Sequence, residues 1–147
     1  MTHWIASTNR QNWKIIQTHN IWGIAKRHKN THARVQRGDT LVIFVSQQKE
    51  GEKILPSAIT GAYEITDIYE DITPLFTAPP QMGDERFPYR FKLKPLKIFS
   101  KPLEFKPLIP DLQFITNKVM WTGHLRTAMR EIPEEDYELI VQKGSSL

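Results

Sequence analysis

Cysteine is absent from the 147-residue sequence, and with it go disulfides, thiolate nucleophiles and cysteine-ligated zinc. Any metal would have to be held by His, Asp and Glu alone. No stretch of about 18 apolar residues is present to span a bilayer, and the first ten residues, MTHWIASTNR, lack the charged-then-apolar pattern of a secretory signal. A cytoplasmic protein with no membrane partner is expected. The P-loop, G-x-G-x-x-G, G-x-S-x-G and H-E-x-x-H patterns are missing too, so neither a cofactor nor the commonest hydrolytic machinery is signalled. The length allows one sizeable core and is short for two domains. A single domain over 1–147 is expected, monomeric or weakly dimeric.

Acidic residues are scarce in one region above all. Residues 1–40 contain seven Lys or Arg and one acid, Asp39, together with four of the five histidines and three of the four tryptophans. A field of one sign interleaved with flat rings attracts a polyanion that also has flat faces, which describes single-stranded nucleic acid. A solvated basic surface on a stable protein would leave the same composition.

Along the chain, HWIAST (3–8) alternates as a strand and meets Asn9, a good helix cap, before the helical spacing of Trp13, Ile15 and Ile16. After a basic loop, GDTLVIFVSQQ (38–48) is an apolar run too short for a buried helix and reads as a core strand. A polar turn at 49–53 follows. Residues 57–71 alternate as a further strand with Gly61 marking a bulge or a close backbone approach. The proline-rich stretch 73–88 predicts a long loop, and long ordered loops are often functional. From Tyr89 to Phe105 strict alternation puts Arg90, Lys92 and Lys94 on a basic face opposite Phe91 and Leu93, with Pro95 ending the regular ladder or marking an edge. Residues 106–117 suit a short helix, and 133–144 a closing helix with Gly144 just past its end. Adjacent strands without regular crossover helices argue for α+β architecture around a small, barrel-like, mostly antiparallel sheet.

Chemistry-bearing groups are few. His28 and His32 lie four apart, a spacing that could place two imidazoles on a metal with Asp39, but neighbouring lysines and arginines oppose a cation and no metal is expected. Trp4 and Trp13 read as core. Trp22 directly precedes Gly23 outside any clear periodic element, and a glycine there lets a planar ligand or another backbone approach closely. Trp121 has the same neighbours in looser form, a glycine two residues on, then His124 and Arg126. The two tryptophans suit opposite walls of a slot, or plugs at the ends of a barrel.

Taken together, WIASTNRQNW, NIWGIAKRHKN, VQRGDTLVIF, ITGAYEIT, RFPYRFKLKP and MREIPEEDYELI resemble, in order and over essentially the whole chain, an EVE domain of the stand-alone archaeal and bacterial type. The resemblance implies a PUA-like fold, a distorted β-barrel with flanking short helices, and kinship with YTH domains, which read N6-methyladenosine through an aromatic cage. It implies that Ser7, Thr8 and Asn9 hydrogen-bond a base edge, that Trp22 and Gly23 form a wall of the base pocket, that Tyr89 and Arg90 lie near its mouth, and that Trp121 and His124 occupy the region of a second wall. On this reading the protein binds RNA, or DNA that is single-stranded or has a base flipped out, and recognises a modified, foremost a methylated, base. Lys26, Arg27, Lys29, Arg34, Lys92 and Lys94 would hold the backbone. A binding module is expected rather than an enzyme. The alternatives are a small hydrolase of modified nucleosides using His124 and Arg126, and a protein-interaction module with a plugged barrel.

Overall fold

In the computed structural model, which describes residues 1–147, the strands are β1 (His3–Thr8), β2 (Ile21–Ile24), β3 (Thr40–Val45), β4 (Gln48–Glu50), β5 (Lys53–Leu55), β6 (Ala58–Glu70), β7 (Tyr89–Glu104) and β8 (Met129–Ile132). The α-helices are α1 (Arg10–His19), α2 (Lys29–Arg34) and α3 (Glu134–Ser145). Six strands form one curled sheet in the order β2-β7-β6-β3-β1-β8, and β4 pairs only with β5. The architecture is α+β, with every pairing antiparallel except β1 with β3. A parallel pair needs a long crossover. Here it is supplied by α1, β2 and α2, which carry the chain to the far edge of the sheet and back.

The apolar run of β3 is explained by burial on both faces of the sheet. Leu41, Ile43 and Val45 join Trp4, Ala6 and Ile16 of α1 in one core. Val42 and Phe44 point the other way, into a second core with Ile5, Ile140 of α3 and the 3₁₀ segment Lys106–Asp111. Tyr63 packs in the first core, edge-on to Trp13, and burial pushes its hydroxyl up to about 12. The Asn9 side chain accepts from the Asn12 N–H at 2.8 Å and starts α1; Asn20, at φ 54°, ends it.

Several local expectations need correction. The basic loop is helical, with a 3₁₀ turn at Lys26–His28 leading into α2, and Trp22 lies within β2. The polar turn expected at 49–53 is present, as the tip of the β4–β5 hairpin. Pro95 does not end the ladder: β7 runs through it opposite Tyr63, and a register shift between Ala62 and Tyr63 takes up its missing N–H. Another shift falls between Ile59 and Gly61, where a Cβ would stand 2.8 Å from the Lys97 carbonyl oxygen. Gly144 sits inside the last turn of α3, because the Phe99 ring occupies the space a side chain would need.

Asp39 is a clasp within the core. Its carboxylate, 2% exposed, accepts from the Thr2 and Gln36 backbone N–H groups and from Trp4 Nε1, each at 3.0 Å. Asp136 serves the second core in the same way, accepting from Gln113 and Phe114 at 2.9 Å. Replacing Asp39 by Ala orphans three donors, each worth about 1–3 kcal/mol when buried unpaired. Asp39→Ala is therefore expected to lower the melting temperature far more than any exposed Asp→Ala change, as read by circular dichroism.

Candidate functional site

The loop between β6 and β7 is shaped by a buried cation. Arg90 is 2% exposed. Its Nε donates to the Phe87 carbonyl at 3.1 Å, its Nη2 to the carbonyls of Arg86 (3.1 Å) and Thr73, and its Nη1 lies 3.7 Å from the Asp71 carboxylate. The backbone N–H of Thr73, with Arg90 a lesser influence, holds the Asp71 carboxyl below its ordinary value. Both ends of the loop are thereby tied to the first turn of β7. Asn12 fixes the middle, accepting from the Thr77 N–H at 2.9 Å and donating to its carbonyl at 3.1 Å. Phe87 stands at φ 51°, a left-handed conformation that costs a residue other than glycine about 1–2 kcal/mol. Glu85 accepts its N–H at 3.0 Å, and Arg90 takes its carbonyl.

What the loop covers is a cleft of about 340 Å³. Ser7, Thr8 and Asn9 at the end of β1 form its floor with Asn12, Trp22 and Gly23 form one side with Ala25, and Phe76, Met82 and Phe87 of the loop form another. Trp22 meets Phe76 edge to face at 6.0 Å, and Phe76 meets Phe87 likewise at 6.0 Å. These three rings form a continuous aromatic wall. Gly23 is required by the protein itself: a Cβ there would lie 2.8 Å from the Phe76 ring and 3.2 Å from the Phe87 carbonyl oxygen. Two lining residues carry buried polar atoms without a partner, Ser7 Oγ and Trp22 Nε1. Both atoms are shut off from solvent, so they lie behind the surface of the cleft and not on it, where buried polar atoms are ordinarily bonded.

Charge in the cleft has one sign. Arg27 and Arg126 line it, and no Asp or Glu does. Burial lowers His28 from the ordinary 6.5, the Arg27 charge lowers it further, and Glu85 acts the other way. His28 Nε2 accepts from Arg27 Nε at 3.2 Å, which suits a neutral ring.

The sequence-predicted residues divide accordingly. The cleft gathers Ser7, Thr8, Asn9, Trp22 and Gly23, and of the predicted cations only Arg27. Arg90 is buried behind the loop and not on an exposed basic face. Tyr89 is buried against the His32 ring at 4.8 Å. His124 Nε2 accepts from the Asn117 N–H at 3.2 Å, and its carbonyl accepts from Arg130. Trp121 lies in an adjoining hollow, tilted on Phe105. Lys26, Lys29, Arg34, Lys92 and Lys94 line neither cavity; Arg34 pairs with Glu131 above the Trp4 ring, and Lys92 lies over Tyr69. Sequence reasoning missed Phe76, Met82 and Phe87, for which the only signal was the length and proline content of the loop, and took Phe44 as a core residue of β3 alone.

The family model of the EVE domain matches residues 2–143. The chain belongs to the EVE-domain family. A UPF0310 protein of Pyrococcus horikoshii is 52% identical over 143 residues, covering 95% of this chain and 97% of the relative. Human THYN1 protein, solved in complex with 5-methylcytosine-containing DNA, is similar at a TM-score of 0.65 and 13% identity, over 97% of this chain and 96% of that one. The Mmi1 YTH domain is similar at a TM-score of 0.61 and 10% identity, over 96% and 86%. These likenesses show the PUA-like fold.

Two outcomes follow for this EVE domain. Gly23→Ala should push Phe76 off its seat and destabilise by about 1–3 kcal/mol, the usual penalty of overpacking, measurable by chemical denaturation. Because the folded His28 binds protons less readily than the unfolded one, its contribution to stability is complete above pH 6.5 and is lost as pH falls from there through the lower folded value. His28→Gln should flatten that part of the stability profile, and the lowered titration should be visible in the His28 ring proton signals.

Proposed function

We propose that the cleft receives a single base turned out of a nucleic-acid strand and discriminates a modified base from its parent. The observation that carries this is one cavity combining the Trp22–Phe76–Phe87 wall, the polar floor of Ser7, Thr8 and Asn9, and two arginines without an acid. Each component has a role. Stacking a base on an aromatic ring contributes about 1–3 kcal/mol whatever the base. The polar atoms select an edge pattern, and Arg27 and Arg126 neutralise phosphates flanking the extruded nucleotide.

Recognition of a modification needs more than an apolar wall. One buried methyl adds about 0.8 kcal/mol, roughly fourfold in affinity. Stronger discrimination requires that the unmodified base leave a cleft donor or acceptor unpaired, at about 1–3 kcal/mol. The THYN1 structure with 5-methylcytosine-containing DNA supports a nucleic-acid ligand for this fold and makes 5-methylcytosine one of the bases to try. The hydrolase alternative relied on His124 and Arg126 sharing a slot with an acid or lysine; Arg126 lines the cleft, but His124 lines neither cavity and no acid or lysine joins Arg126 in the cleft.

The test is tryptophan fluorescence with short single-stranded RNA and DNA oligomers, unmodified or carrying one 5-methylcytosine or N6-methyladenine, at two salt concentrations. One modified oligomer is expected to quench at lower concentration than its parent. Trp22→Phe should weaken it, and Arg126→Ala should reduce the slope of log affinity against log salt by about 0.7, the value for one phosphate on a single strand. Absence of binding by every oligomer, or equal binding by Trp22→Phe and Arg126→Ala, would overturn the reading.

A further inference from the structure

Beside the cleft lies a second hollow of about 460 Å³, lined by Gln47, Ser57, Lys106, Trp121 and Thr122 together with Phe44, Ser46 and Leu125. The last three residues also line the first cleft, so the two cavities are immediate neighbours on one side of the domain. No acid lines either of them, whereas the cavity at the opposite end of β1 is lined by Glu131 and Glu134. Trp121 is half-buried. Its ring is backed by Phe105 at 5.5 Å, which in turn packs edge-on to Phe44 at 4.9 Å. A tryptophan held from behind in this way keeps its orientation without a ligand, which lowers the ordering cost of stacking on it.

We propose that this hollow is a second nucleotide subsite: Trp121 stacks the base next to the extruded one, and Lys106 neutralises a phosphate beside it. The proposal rests on the base-binding reading of the first cleft. It assigns the domain a minimal ligand of two nucleotides, the first selected by its polar edge and its modification, the second accepted by stacking, which every base can supply. Sequence preference at the second position is therefore weak. The occupant is a nucleotide and not an apolar peptide because the hollow neighbours the arginine-lined cleft and adds a further cation beside it.

The experiment compares mononucleotides of the four ordinary bases, 5-methylcytosine and N6-methyladenine with dinucleotides that join each to thymidine on either side, by calorimetry on the full chain. The wild type is expected to bind the preferred dinucleotide about 5–150-fold tighter than its mononucleotide, the range that one stacked base supplies. Trp121→Ala should abolish that gain while leaving the mononucleotide affinity unchanged. Lys106→Ala should keep part of the gain and lower its salt dependence. A dinucleotide no tighter than the mononucleotide, or a gain that survives Trp121→Ala, overturns the second subsite alone. Failure of every mononucleotide and dinucleotide to bind overturns it together with the base-binding reading. Concentration-dependent self-association that Trp121→Ala removes would assign the hollow to a second copy of the chain and overturn the subsite as well.

Discussion

The cleft depends on a buried guanidinium. Arg90 has its donors answered by the carbonyls of Thr73, Arg86 and Phe87 and its charge answered by Asp71. A buried cation with one of its partners removed is strongly destabilising, so these contacts define one arrangement of the loop and penalise others. Everything that gives the cleft its shape follows from that arrangement. Phe76 comes down on the bare backbone of Gly23, Phe87 is held in its left-handed conformation, and Asn12 locks Thr77 against α1. The sheet supplies the floor, and one arginine decides where the wall stands.

The sheet itself is set by two carboxylates in equivalent roles on opposite faces. Asp39 draws the N-terminal strand onto the turn before β3 through the Trp4 indole, while Asp136 draws the segment after β7 onto α3. Each accepts from backbone N–H groups that no strand or helix could pair, which is how irregular chain can be buried beside a core without leaving polar groups stranded.

Much of the framework was legible in the sequence because periodicity reports burial. The capped α1, the apolar β3, the bulged β6 and the acid-started α3 each announced themselves through spacing or end chemistry. Arg90 shows where that logic stops. Alternation correctly puts it on the same side of β7 as Lys92, but whether that side meets water depends on a loop without periodicity that folds over it. The same loop hides Phe76 and Phe87, which are far from Trp22 in sequence and show no pattern linking them to it. Trp22 escaped as a strand residue because β2 has four residues, too few for alternation to register. Trp121 looked like a twin of Trp22 from its neighbours, yet only the position of Phe105 and Phe44 decides that it occupies a hollow of its own.

The single parallel pairing has a bearing on how the protein assembles. β1 meets β3 across a crossover of α1, β2 and α2, so the floor of the cleft joins residues near position 8 to residues near 45, while its walls come from around 76–87 and 125–128. Contacts of such long sequence separation form late and slowly relative to local helices. No single hairpin or helix of the chain contains the whole cleft. Occupancy is consequently coupled to global folding and not to a local segment, and a ligand at 100 times its dissociation constant would add about 2.7 kcal/mol to the stability of the entire domain.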